Sequence, residues 1–267
     1  MGATRGRGTR FGQEGGELSY GTYLKVTELL GLQQLASDPP AHDELLFIVI
    51  HQTFELWFKQ VLFELETARD AMFAGDVRKA VHVLRRVGAI ERVLVEQIPV
   101  LESMSPQDFL EFRSNLAPAS GFQSVQFREL EFLSGLKEPG LISRLAVTEE
   151  EAERLRRRLD EPTVWDAFCA LLGERGLPMP ADDAAARQQS LLRVAWEHEA
   201  FDDLWTLAEE LLTHDELVAM WRMRHVLMVE RQIGSKTGTG GSTGATYLRS
   251  TLDKRFYPDL WDLRSHL

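Results

Sequence analysis

Residues 44–73 read ELLFIVIHQTFELWFKQVLFELETARDAMF, and the assignment of this stretch decides the fold. Its opening LFIVIH, taken alone, suits a buried strand as well as a helix. The apolar pattern continues through Trp57, Phe58, Val61, Leu62 and Leu65 at helical spacing, and a periodic run of this length far exceeds the ~4–8 residues of a strand. The stretch therefore predicts one long helix. Phe47, His51, Phe54 and Phe58 fall at i, i+4, i+7 and i+11 on a single face of it. A histidine in such an aromatic face is most often a core or edge residue, and Glu55, four before Lys59, reads first as half of a helix-surface salt bridge.

Outward from this helix the pattern stays helical. On its N-terminal side, SDPPAHDE stops one element at the double proline and offers Asp43 as a cap. Residues 18–30 form a short amphipathic segment with Tyr20 and Tyr23 on one side. Residues 1–16, MGATRGRGTRFGQEGG, are glycine-rich and polar and are expected to be a flexible segment. On the C-terminal side, Gly75-Asp76 turns the chain into a second long helix over 77–101. Ser105 and Pro106 start a short helix, PASG at 118–121 interrupts it, and another helix is expected over 122–133. Thr148 and the three acids after it open a charged surface helix, read as a solvated helix start. Helices are expected again over 163–172 and 183–212, with Asp215 capping a further one, and a short one over 243–251. The expected architecture is all-α: a single helical domain over 17–267 with long core helices.

Composition excludes several functions. A net charge of −11 speaks against nucleic-acid or anionic-membrane binding, which need clustered Lys and Arg. No run of ~18 uninterrupted apolar residues appears, so no transmembrane helix is expected. No secretory signal is visible, so a cytoplasmic protein is the simplest expectation. Cys169 is the only cysteine, which excludes an internal disulfide, cysteine-rich zinc sites and CxxCH haem attachment. In AFCALL it reads as a small buried hydrophobe.

The stretch WRMRHVLMVERQIGSKTGTGGSTGATY (221–247) carries a lone histidine, His225, on a helix that ends near Gly234 and runs into a glycine-dense loop. Either it is a core helix with an ordinary turn, or it holds a ligand. Arg113 follows Phe109 by four residues on one face of the short helix. Its ordinary reading is a surface ion pair, and its sharper one is a bidentate clamp for a carboxylate. No HExxH and no Glu-x-x-His pair occurs, so neither a zincin nor a di-iron bundle is indicated. GSKTGTGG is not a Walker loop, GTGGSTG lacks the dinucleotide spacing and follows a helix, and there is no GxSxG elbow. A helical core can hold haem on one histidine and leave the opposite side open.

Four ordered blocks then make a sharper point: YGTYLKVTELL (20–30), HDELLFIVIHQTFELWFKQ (42–60), DFLEFRSNLAPASGFQSVQFRELE (108–131) and WRMRHVLMVERQIGSKTGTGGSTGATYLRST (221–251). Together with the ending RFYPDLWDLRSHL, they resemble the tryptophan 2,3-dioxygenase family. The resemblance implies a helical domain enclosing haem b, with His225 as the axial ligand of the iron. It makes His51 the distal histidine that meets the indole N–H and Phe47 the ring packed on the substrate. Arg113 would bind the α-carboxylate, with Phe109 lining the pocket, and Thr239 would contact the ammonium and carboxylate under a closing glycine loop. Ser120 and Arg128 would lie near the haem edge or propionates. Tyr20 and Tyr23 match a segment that reaches a neighbouring subunit's site in a homotetramer. Ile50 and Phe54 depart from the residues often found at their positions and would reshape the distal side. The implied reaction converts L-tryptophan and O2 to N-formyl-L-kynurenine, the first step of tryptophan degradation. A haem mono-oxygenase on a related indole amino acid and a non-catalytic haem or gas sensor are the competing readings.

Overall fold

In the computed structural model, which describes residues 18–145, 147–239 and 244–267, the chain divides into two units at Leu35/Ala36. The expected flexible segment 1–16 lies outside the described residues, as do Gly240, Gly241 and Thr243. In the first unit the expected amphipathic segment is two single turns, α1 (Tyr20–Tyr23) and α2 (Val26–Leu29). Ser19 caps α1 by accepting from Thr22 N, and Lys25 at φ 53° breaks the run before α2.

In the second unit the decisive stretch is one helix, α3 (Glu44–Phe73). Asp43 stands at its N-cap, but its carboxylate takes the His42 ring nitrogen at 2.6 Å and not a helix N–H. Ala74 and Gly75 (φ 72°) reverse the chain, and Asp76 caps α4 (Val77–Glu102) by accepting from Lys79 N at 3.0 Å. Such a cap is worth about 1 kcal/mol. Phe58, Val61, Leu65, Ala68 and Met72 form the inward stripe of α3, and Val83, Leu84, Val87, Leu94 and Ile98 form that of α4. An 18-residue window of α3 reaches a mean hydropathy of 1.2, so by length and composition this one helix could cross a bilayer. Its outer side leaves Leu45, Leu56 and Phe63 exposed.

Ser105 caps α5 (Pro106–Arg113) with a capping box to Asp108. The expected helix over 122–133 begins later, as α6 (Val125–Ser134), because two serines cap in series. Ser120 accepts from Phe122 N over a single 3-10 turn, and Ser124 then accepts from Phe127 N. After α7 (Pro139–Ile142), Thr148 and Thr163 open α8 (Glu149–Asp160) and α9 (Val164–Glu174) with capping boxes, as their sequences predict.

The expected single helix over 183–212 is instead two. α10 (Ala184–Trp196) ends at Glu197, and α11 (His198–Ile233) begins beyond it with a kink at Phe201 (φ −129°). The break turns α10 back to pack on α11. Asp215 is thus no cap: it sits inside α11, where the helix N–H groups are already satisfied. Its freed carboxylate accepts from Phe256 N, Tyr257 N and Trp261 Nε1 at 2.9–3.0 Å. α12 (Ala245–Arg249) and α13 (Pro258–Leu263) complete the unit. Among the described residues there is no strand. α4 packs along both α3 and α11, and this arrangement holds α3 with His51 and α11 with His225 as walls of one cavity.

Candidate functional site

The cavity between these helices has a volume of about 250 Å³ and is mostly apolar, with a few converging polar groups. It is lined by Phe47, His51, Phe109, Arg113, Ser120, Arg128, His225 and Thr239, so it gathers eight of the ten residues expected to build a site. The other two, Tyr20 and Tyr23, stand in the N-terminal unit with both rings exposed.

His51 is fixed by its own helix. Its Nδ1 lies 2.7 Å from the Phe47 carbonyl, which can only accept, so Nδ1 carries the hydrogen. In the neutral ring Nε2 is then an acceptor. Burial lowers its pKa, overriding the raising effects of the Phe47 carbonyl and the Glu55 charge, and favours that neutral form. Phe47 packs on His51 with ring centroids 4.0 Å apart and stacks with Phe109 at 5.8 Å and 25°. Phe112, fully buried beneath, meets both edge-on and sets their separation. Two rings far apart in sequence thereby form one flat apolar slot.

Arg113 and Thr239 hold the far rim. The Arg113 guanidinium donates to the Thr237 carbonyl, so it is not the surface ion pair of its ordinary reading. Thr239 Oγ1 donates to the Ala119 carbonyl at 2.6 Å. These two bonds lay the loop after α11 against the end of α5 and the PASG turn. Gly234 (φ 57°, ψ −128°) and Gly244 (φ 59°, ψ −129°) lie on either side of that loop in the same conformation, which L side chains rarely adopt. Glu55 does not pair with Lys59. It accepts from Ser124 Oγ at 2.6 Å and Gln126 Nε2 at 2.8 Å, locking α3 to the start of α6.

On the opposite wall His225 makes no hydrogen bond among the described residues and lies parallel to the Trp221 indole. Burial, and then the nearby His51, push its pKa down to about 4, so at neutral pH it is an uncharged imidazole, the form that ligates metals. Trp221 also meets Phe54, Phe58 and Phe127, which makes it the centre of an aromatic wall. Behind it, Arg128 Nη1 and Arg222 Nη2 share the Glu131 carboxylate at 2.6 and 2.8 Å, all three residues buried. Two guanidiniums against one carboxylate leave net positive charge in a buried cavity wall. Such charge is costly unless an anion answers it.

Sequence reasoning missed Trp221, Glu131 and Arg222. For Trp221 the signal was its place one turn before His225. Glu131 and Arg222, distant in the chain, left none. Cys169, as expected, is no nucleophile: its half-buried thiol is pushed up to about 12, chiefly by burial.

These features fit haem. Among the described residues no group of three His, Cys, Asp or Glu converges to hold a bare metal ion. A lone neutral histidine therefore suits a metal that brings its own equatorial donors, and the positive wall suits acidic side groups on that ligand.

The chain is also similar to known proteins along almost its whole length. The family model described as tryptophan 2,3-dioxygenase matches residues 5–162 and 172–267. A protein of that name from a Nocardioides species is 58% identical over 262 residues, covering 96% of this chain and 97% of the relative. Relatives of the same name from Herpetosiphon aurantiacus and Caulobacter vibrioides are 45% and 41% identical, each across 94% of this chain and 98% and 99% of their own length.

Proposed function

The chain belongs to the tryptophan 2,3-dioxygenase family, and from that premise we propose that it cleaves the indole C2=C3 bond of L-tryptophan with O2 to give N-formyl-L-kynurenine. The observation that carries the reading is the assembly around one cavity of a neutral lone histidine, a second histidine with a free acceptor nitrogen, an aromatic slot and an arginine at the rim. Haem b would be held by His225, with Arg128 and Ser120 near its acidic groups, and when bound it would supply redox-active iron for the chemistry with O2.

The chain's own residues do the rest by positioning. The Phe47–Phe109 slot takes the flat indole and excludes water from the reacting bond. His51 Nε2 accepts from the indole N–H and fixes the ring's rotation. It need not remove that proton, because indole N–H is a very weak acid. Arg113 pairs with the α-carboxylate by charge-assisted hydrogen bonds, and the Thr239 hydroxyl serves the ammonium and carboxylate once it leaves the Ala119 carbonyl. The loop residues around Thr239 close over the amino-acid end. The exposed apolar side chains of α3, Leu45, Leu56 and Phe63 among them, favour self-association, in keeping with a homotetramer to which Tyr20 and Tyr23 contribute. The reading places the enzyme in the cytoplasm.

The experiment is direct. The protein is loaded with haem, reduced anaerobically, and given L-tryptophan and isotopically labelled O2. Both labelled atoms in one ring-opened product support the reading. A single labelled atom points to a mono-oxygenase, and haem and O2 binding without turnover of any indole points to a sensor.

A further inference from the structure

The C-terminal segment Lys254–Trp261 does not line the cavity, yet it is bound at two points on one face of α11. Asp215 is fully buried and its carboxylate has no cationic partner among the described residues. Its compensation is the set of three N–H donors from Phe256, Tyr257 and Trp261, all on one oxygen. Hydrogen bonds to a charged acceptor are the strong kind, and a buried carboxylate deprived of them is expensive. Docking of the segment is therefore strongly enforced. Seven residues further along α11, Arg222 reaches the same segment: Nη1 donates to the Lys254 carbonyl at 3.0 Å, and its guanidinium lies over the Phe256 ring at 5.3 Å.

The guanidinium is planar, so its two arms are not independent. With one arm on Lys254 O, the other is aimed at Glu131 Oε1, and Glu131 in turn holds Arg128 through its second oxygen. Arg222, Glu131 and Arg128 all line the cavity. A continuous chain of contacts thus runs from Asp215 through the segment's backbone to the charged wall. We propose that Asp215 and the segment it binds are positioning elements for that wall, setting through Arg222 the orientation of the charge that receives the anionic edge of the cofactor. The inference rests on the haem reading given above.

The test measures haem transfer from the loaded protein to excess apomyoglobin, together with the melting temperature of the haem-free form. Asp215→Asn keeps the shape and removes the charge, and Trp261→Phe removes one of the three donors. Leu155→Ala, in the separate buried cluster around Phe132 and Leu141, is the control that destabilises away from the Asp215 and Arg222 contacts. The expected result is release about tenfold faster for Asp215→Asn and about threefold faster for Trp261→Phe, as weakened charge-assisted hydrogen bonds imply. Leu155→Ala releases haem at the wild-type rate despite its lower melting temperature. If Asp215→Asn does not fold, Trp261→Phe decides alone. Release from both variants no faster than from Leu155→Ala overturns the inference and leaves the segment a plain anchor of the fold. A wild-type protein that takes up no haem overturns the cofactor reading, and this inference with it.

Discussion

Trp221 holds its indole within 6° of the plane of the His225 imidazole, with ring centroids 5.1 Å apart, one turn before it on α11. The stack orients an imidazole that makes no hydrogen bond among the described residues. The same indole receives the edges of Phe54 and Phe58, so its loss opens a gap at the junction of α3, α6 and α11. Trp221→Ala is expected to lower stability by about 3 kcal/mol, within the range for large aromatic truncations. Trp221→Phe keeps a stacked ring and should cost less than half of that. Urea midpoints of the haem-free variants measure both, and equal midpoints for wild type and Trp221→Ala would show the stack to be incidental.

His51 should behave as an acceptor that protonation disables. Burial depresses its pKa below the ordinary 6.5, so the ring is neutral at and above that pH. Folded-state resistance to protonation means that the stability tied to neutral His51 is fully present above 6.5 and is lost as pH falls below it. Charging Nε2 also ends its ability to accept the indole N–H. The profile of kcat/KM is therefore expected to be flat above neutrality and to fall on the acid side. In His51→Ala turnover persists at a reduced level and this acid limb disappears. Complete loss of turnover with haem and substrate still bound would instead make His51 an obligatory base.

Arg113 carries its prediction in the binding step. The guanidinium is tied by one nitrogen to the Thr237 carbonyl, and no ion pair engages it among the described residues. Removing it leaves a desolvated carboxylate unpaired, which costs about 2–5 kcal/mol, or roughly thirtyfold and upward in affinity. Arg113→Ala should raise KM by that order and change kcat less. Tryptamine, which lacks the carboxylate, should lose little between wild type and variant, and an unchanged KM for tryptophan in Arg113→Ala refutes the clamp.

What the sequence made legible follows physical range. Periodicity reads contacts within one helix, so the long helices at 44–73 and 77–102 and the pairs Phe47/His51 and Phe109/Arg113 were all visible at i, i+4. The resemblance then tied those pairs to His225 and Thr239. Charged residues on helix faces resisted reading, because a solvated face and a buried network look the same in one dimension. Glu55 read as a partner of Lys59 and instead anchors Ser124 and Gln126. Glu131 and Arg222 gave no hint of meeting across 91 positions. Asp215 read as a helix cap because Asp often caps, whereas in the structure it lies in the interior of α11 and its carboxylate turns to Phe256, Tyr257 and Trp261.

The loop that carries Thr239 supplies the last prediction. Gly244 has φ 59° and ψ −129°, and a Cβ built there would stand 2.7 Å from the Lys236 carbonyl oxygen. That contact is with backbone, so no side-chain rotation relieves it. Gly244→Ala must therefore shift the chain at Lys236, two residues before Gly238 and three before Thr239, both in the cavity wall. Strain of this kind costs about 1–3 kcal/mol, and here it is local to a loop that the α3–α4–α11 core does not need. The expected outcome is a melting temperature near that of wild type together with a KM for tryptophan raised severalfold. Gly75→Ala serves as comparison: φ there is also positive, at 72°, but the residue lies at the α3–α4 turn with open space around it. It should lower the melting temperature and leave KM alone. If the two substitutions act alike, the loop conformation at Gly244 has no special part in closing the site.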